Sequence, residues 1–297
     1  MKKYLVAIAI VSILLLPVVG ASNLLASNKT EIKMPLNILE NDFTHSVFTE
    51  YATTTECPYC PSASSQLYSI YESGDYDFYY VSLVANENFK IYDRVKELGV
   101  YSVPDVYFDG GYLNIIGKQD DEQPYINAIQ QCGNRDVPDI DVDVNVQWKD
   151  NAILDISVTV QNNEPEEYNG YLRVYIVEIE SRWNDQSGHP YHFGALYIPI
   201  EKSLAMPQAQ IKPLGDSYTF TKTWIGALYG FGDITIDNVM VIASVFDPDS
   251  DYVVETTAAM PTSSEDNSIF RFITFENFRI WQWICDMEIY SKFSSLF

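Results

Sequence analysis

The chain has 297 residues, with 18 Lys and Arg against 41 Asp and Glu, a formal charge of −23. That charge excludes a protein built to hold nucleic acid, whose affinity comes from basic side chains releasing counterions, and it disfavours unassisted adsorption to anionic lipid. With 47% hydrophobic and 14% aromatic residues the chain is too rich in core formers to be disordered, and its length predicts two domains at roughly 100 to 200 residues each.

Residues 1–22 read as an export signal: Lys2 and Lys3 form a basic start, residues 4–19 are almost purely apolar, and Val19-Gly20-Ala21 offers side chains a signal peptidase accepts. The alternative is an uncleaved anchor, for which the run is slightly short of the ~20 residues a span needs. Either reading places the body outside the cytoplasm, secreted or at the cell surface, where disulfides persist. The sequon Asn28-Lys29-Thr30 is compatible with that location. Residues 23–41, polar and without period, read as a linker.

In the segment 42–135, residues 46–53 mix β-branched and aromatic side chains, which predicts a strand running into Cys57-Pro58-Tyr59-Cys60. Leu67, Ile70 and Tyr71 then recur at helical spacing until Gly74. A second strand follows at 76–84, and a helix at 88–98 ends at Gly99. Two strands joined at Asp109-Gly110-Gly111 make a hairpin, and residues 124–132 make a last helix with Pro124 at its start. The order β, α, β, α, β, β, α predicts an α/β layer packing.

From Val137 the pattern changes to seven strand-like runs separated by turn signals. Residues 136–262 therefore predict an all-β immunoglobulin- or fibronectin-like sandwich. Asp139, Asp141 and Asp143 alternate with Ile140, Val142 and Val144 and belong on the solvent face of a half-buried strand. In the tail, 263–297, a helical projection separates Arg271, Glu276, Arg279, Gln282 and Asp286 from Phe272, Phe275, Phe278, Trp281 and Ile284. It reads as an interfacial amphipathic helix touching a membrane peripherally, as a helix docked on the body, or as a poorly ordered end. It does not read as a clean membrane span, because Arg271, Glu276 and Arg279 interrupt any 18-residue apolar stretch.

Cys57 and Cys60 carry the chemistry. Two thiols two residues apart at a helix start can close a small disulfide ring and expose one sulfur. The partial positive charge and free N–H groups of the helix N-terminus stabilise a thiolate there. Cys57 is the expected nucleophile, and Cys60, one turn inside the helix, the residue that resolves a mixed disulfide. Pro58 removes a backbone donor where the loss costs little. Half a zinc site is a weaker reading, since no second CxxC or CxxH exists. A purely structural short disulfide is the other competitor.

Glu56-Cys57-Pro58-Tyr59-Cys60 at a strand-to-helix turn, with Val103-Pro104 further on, resembles the thioredoxin superfamily over residues 44–135. The tetrapeptide is similar to dithiol glutaredoxins, and Val before the proline to secreted oxidoreductases of the DsbA kind. The resemblance implies an α/β thioredoxin fold for 42–135. It also implies a cis bond before Pro104 on a strand facing the cysteines, and a Val103 backbone that docks an incoming peptide. A redox-active dithiol and no organic cofactor are implied as well, with protein thiols or disulfides and a further redox partner as interaction partners. The family keeps a buried acid beneath the second Cys; Glu50 is the nearest candidate, one residue off register. Followed by a β-sandwich, the motif is also similar to exported thioredoxin-fold proteins with a C-terminal immunoglobulin-like domain. Glu56 stands where the family usually has an aromatic residue, and its charge opposes a thiolate at Cys57, which argues against a strongly oxidising role.

Other candidates are weaker. Cys132 and Cys285 could pair, stay free or link to another chain. His189-Pro190-Tyr191-His192 reads as a loop entering a strand rather than a metal site. Asp247-Pro248-Asp249-Ser250-Asp251 lacks the Gly and Glu of a calcium loop, having Tyr252 and Ala258 at those places. The first functional reading is an exported thiol-disulfide oxidoreductase. The alternatives are a surface recognition protein that binds through the β-sandwich, and soft-metal delivery through Cys57 and Cys60.

Overall fold

In the first strand, β1 (Val47–Thr53, VFTEYAT), every residue is buried, as befits a central strand packed on both faces. It pairs in parallel with β2 (Phe78–Val84) and antiparallel with β3 (Asp105–Phe108), which turns back into β4 (Leu113–Ile116). The structure is a computed structural model and describes residues 43–165, 168, 170–200 and 217–263. The signal, linker and nearly all of the tail, with Cys285, lie outside the described residues.

Between β1 and β2 runs α1 (Cys60–Ser73), which buries Cys60, Ala63, Leu67 and Ile70 and stops at Gly74 with a left-handed φ of 66°. The helix expected over 88–98 is split. A 3-10 turn at Phe89–Ile91 precedes α2 (Tyr92–Glu97), with the Asn88 side chain accepting from Lys90 N. Helix α3 (Gln123–Gly133) closes this part. The β3–β4 turn requires glycine at 110, where φ is 72° and an added Cβ would lie 2.5 Å from the Asp251 carbonyl oxygen.

The later strands are β5 (Ile140–Trp148), β6 (Ile153–Asn162), β7 (Tyr171–Asn184), β8 (Pro190–Ile200), β9 (Ser217–Ile225), β10 (Val239–Phe246), β11 (Val253–Ala259) and β12 (Thr262–Ser263). In β5, Asp141 and Asp143 are exposed, as the alternation requires. The four-stranded sheet β12-β5-β6-β9 lays Leu154, Ile156, Val158 and Trp224 against Val174, Ile176 and Val241 of the other sheet.

That other sheet corrects the expected fold class. An α/β thioredoxin fold followed by an all-β sandwich is not what forms: the structure is mostly β, with twelve strands against α-helices of 14, 6 and 11 residues among the described residues. Strands from both parts of the chain join in one eight-stranded mixed sheet, β11-β10-β7-β8-β2-β1-β3-β4. The reason is the open edge of β2. Its sequence FYYVSLV is apolar on both faces, and an unpaired edge of that kind must be covered. Strand β8 covers it in parallel at Ser82 and Gly194. Ser82 Oγ donates to the His192 carbonyl, and Asn88 Nδ2 donates to those of Ala195 and Leu196. Tyr175, Tyr191, Phe193, Ile242 and Phe246 therefore share one core with Phe48, Leu67 and Val81.

Candidate functional site

At the end of β1 the chain turns through residues 54–59 and enters α1 at Cys60. Cys57 and Cys60 are joined as a disulfide with their Cα atoms 5.4 Å apart. Cys60 is the first helical residue and Cys57 stands just outside, because Pro58 and Pro61 leave few N–H groups to extend the helix backwards. The N-cap residue, Tyr59, supplies no side-chain acceptor. Of the first-turn residues, Pro61 has no N–H and the Cys60 N–H donates to the Cys57 carbonyl at 3.4 Å, so what the helix offers the disulfide at this end is chiefly its dipole. Cys57 is 5% exposed and Cys60 fully buried, while Glu56, Pro58 and Tyr59 beside them are exposed.

The Val103–Pro104 bond is cis. The Val103 carbonyl oxygen lies 3.6 Å from Cys57 Sγ. In the disulfide that sulfur carries no proton, so the approach is a van der Waals contact; a reduced Cys57 would find a hydrogen-bond acceptor there. The fold thus brings Cys57, Cys60, Val103 and Pro104 together.

Glu50 is placed elsewhere. It is buried on the face of β1 opposite Tyr51, where Oε1 accepts from Arg94 Nε at 2.7 Å and Oε2 from Arg94 Nη2 at 2.5 Å. Tyr175 Oη donates to the same carboxylate at 2.6 Å. Burial pushes the Glu50 pKa up, but the Arg94 charge and hydrogen bonds, helped by Arg173 and Tyr175, hold it below the usual value. The side chain under Cys60 is Tyr51, whose Oη donates to the Cys60 carbonyl at 2.8 Å.

A second tyrosine reaches the loop from β8. Tyr191 Oη accepts from Thr53 Oγ1 and donates to the Thr54 carbonyl, both at 2.9 Å, and its ring meets that of Tyr51 edge-on at 6.2 Å. Strand alternation next to Glu50 points to Tyr51. Nothing local marks Tyr191, 138 residues from Thr53.

Cys132 is buried in α3 and forms no disulfide among the described residues. Burial, then the neighbouring Asp109 charge, push its thiol pKa well up. His192 stacks on Tyr68 with centroids 3.4 Å apart, and burial lowers its pKa. With Pro61, Ser65, Glu72, Asp185 and His189 these rings line an open groove of about 730 Å³ beside α1. Among the described residues, no three His, Cys, Asp or Glu are disposed to hold a metal, and no helix is long and apolar enough to cross a membrane. Asp247 Oδ1 accepts from Asp249 N, Ser250 N and Ser250 Oγ, which makes that segment a self-bonded turn.

No protein-family model and no curated protein matches the chain. Solved structures similar to it include a structural-genomics target protein from Agrobacterium tumefaciens, at 13% identity over 73% of this chain and 95% of that one, with a TM-score of 0.45. A domain of the outer membrane lipoprotein Omp28 from Porphyromonas gingivalis matches at 13% identity, over 43% of this chain and 94% of that one, with a TM-score of 0.23. The sporulation control protein Spo0M from Bacillus subtilis matches at 9% identity, over 43% and 50%, with a TM-score of 0.29. Similarity at this level carries no argument about activity.

Proposed function

We propose that this protein is an exported thiol-disulfide oxidoreductase that exchanges disulfides with protein substrates through Cys57 and Cys60. The observation that supports the reading is the closed Cys57–Cys60 pair at the mouth of α1, with its outer sulfur against the Val103 carbonyl. A substrate thiolate attacks Cys57 Sγ and breaks the Cys57–Cys60 bond. Cys60 leaves as a thiolate, whose charge the first turn of α1 stabilises until it takes a proton. A second substrate thiolate then attacks the substrate sulfur of the mixed disulfide and releases Cys57. Two electrons pass from substrate to protein, and the reverse sequence reduces a substrate disulfide. A separate redox partner restores the starting state. The export reading is supported by residues 1–22.

The test is reduction of a protein disulfide such as insulin, and oxidation of a dithiol peptide, by wild type and Cys57→Ser. Cys57→Ser loses both activities, and Cys60→Ser accumulates a substrate mixed disulfide on Cys57. No activity in the wild type, together with a reduction potential below about −300 mV for the pair, overturns the proposal.

The burial of both cysteines, at 5% and 0% exposed, favours a second reading, in which the disulfide is a static brace and the chain is a surface recognition protein. On that reading Cys57→Ser leaves biological activity intact.

A further inference from the structure

The loop between β1 and α1 is held from below by two phenolic hydroxyls, one from each part of the chain. Tyr191 Oη and the Cys57 backbone N–H donate to the same atom, the Thr54 carbonyl oxygen, at 2.9 and 3.3 Å. Thr53 Oγ1 closes the relay by donating to Tyr191 Oη. On the other side, Tyr51 Oη donates to the Cys60 carbonyl. Both tyrosines are fully buried and in edge-to-face contact, so their rings have little freedom to release the loop. Tyr51 thus holds Cys60 directly through its carbonyl, and Tyr191 holds Cys57 indirectly, through the Thr54 carbonyl that the Cys57 N–H shares.

We propose that Tyr191, carried on β8, is a positioning residue for the Cys57–Cys60 pair, so that the later strands set the redox equilibrium of the disulfide. The inference deepens the exchange reading and rests on it for its biological meaning, though not for its measurement. The physical step is a difference between two states. In the oxidised form the loop is already tied by the S–S bond; in the dithiol form only the hydrogen bonds hold Cys57 near Cys60. Removing the Tyr191 hydroxyl therefore frees more conformations in the dithiol than in the disulfide and shifts the equilibrium toward the dithiol.

The experiment is a glutathione titration of the full chain, with the Cys57–Cys60 state read by thiol alkylation and mass, for wild type, Tyr191→Phe, Thr53→Val and Tyr125→Phe. Tyr125 is buried in the same core and its hydroxyl has no hydrogen-bond partner, so Tyr125→Phe reports a general effect of losing a buried hydroxyl. Tyr191→Phe is expected to raise the dithiol-to-disulfide ratio about fivefold at a fixed glutathione potential, the net worth of one hydrogen bond, which is about 20 mV less negative for a two-electron couple. Thr53→Val is expected to move the equilibrium in the same direction, and Tyr125→Phe to leave it in place. A change under twofold in folded Tyr191→Phe overturns the proposal, as does an equal change in Tyr125→Phe. If Tyr191→Phe does not fold, Thr53→Val decides alone. A normal shift in a protein that exchanges no disulfides would sink the proposed function and leave Tyr191 in its role; exchange activity with no shift would do the reverse.

Discussion

Glu50 and Tyr51 are adjacent and face opposite ways, and they divide the labour at the centre of β1. Tyr51 supports Cys60, whereas Glu50 closes a buried bidentate ion pair with Arg94. The sequence showed an acid near the right place, but a single step along a strand exchanges its two faces, and the position of Arg94 on α2 became visible only when the chain had folded. A buried pair of this kind contributes little by existing and costs much when halved. Arg94→Met, which leaves the Glu50 carboxylate buried with Tyr175 and without its main counter-charge, should lower the unfolding free energy by about 3–5 kcal/mol in a urea titration. A loss under about 1 kcal/mol would show that water reaches Glu50.

Among the elements, β8 is the one whose position organises the rest. Its neighbours on either side are β7 and β2, and it brings Tyr191 to the disulfide loop. Gly194 sits where β8 passes β2 and β7, and an added Cβ there would lie 2.4 Å from Ser181 Oγ and 2.8 Å from Ser181 Cβ. Gly194→Ala should therefore push β7 and β8 apart and cost about 1–3 kcal/mol, read as a lower melting temperature. Adding Ser181→Gly should recover most of it; a Gly194→Ala protein that melts with wild type would mean the strands part freely. Strand positions were largely legible in the sequence, since side-chain alternation and turn residues are local signals. The helix expected over 88–98 was not: Asn88 spends its amide on the carbonyls of β8 and its oxygen on Lys90 N, and the chain tightens into a 3-10 turn.

At the scale of the whole molecule, distant segments meet on buried polar groups. Near the start of β1, the Ser46 backbone N–H donates to Glu255 of β11 at 3.2 Å, and the Thr256 N–H donates to the same oxygen at 2.7 Å. Burial raises the Glu255 pKa from an ordinary 4.5 to about 7, with Asp77 adding to the rise and His45 opposing it. The folded protein therefore holds this proton where the unfolded chain has lost it. Stability contributed by the protonated carboxyl is complete below the unfolded value and is lost as pH rises from about 4.5 through about 7, by at most roughly 3 kcal/mol. Melting temperatures taken across that range should fall more steeply with rising pH in wild type than in Glu255→Gln; parallel curves would show that the carboxyl titrates normally.

What the sequence determined alone was whatever depends on neighbours along the chain: two thiols spaced to close a ring, a strand running into a helix there, and alternating runs after Val137. Tertiary structure decided the rest: one sheet shared by both parts of the chain, Arg94 as the partner of Glu50, and Tyr191 beneath the Cys57 loop. The physical reason is that an open strand edge or a buried charge demands some partner, yet leaves open which of many distant residues supplies it. That choice is made when the whole apolar surface is buried at once, and no local pattern encodes it.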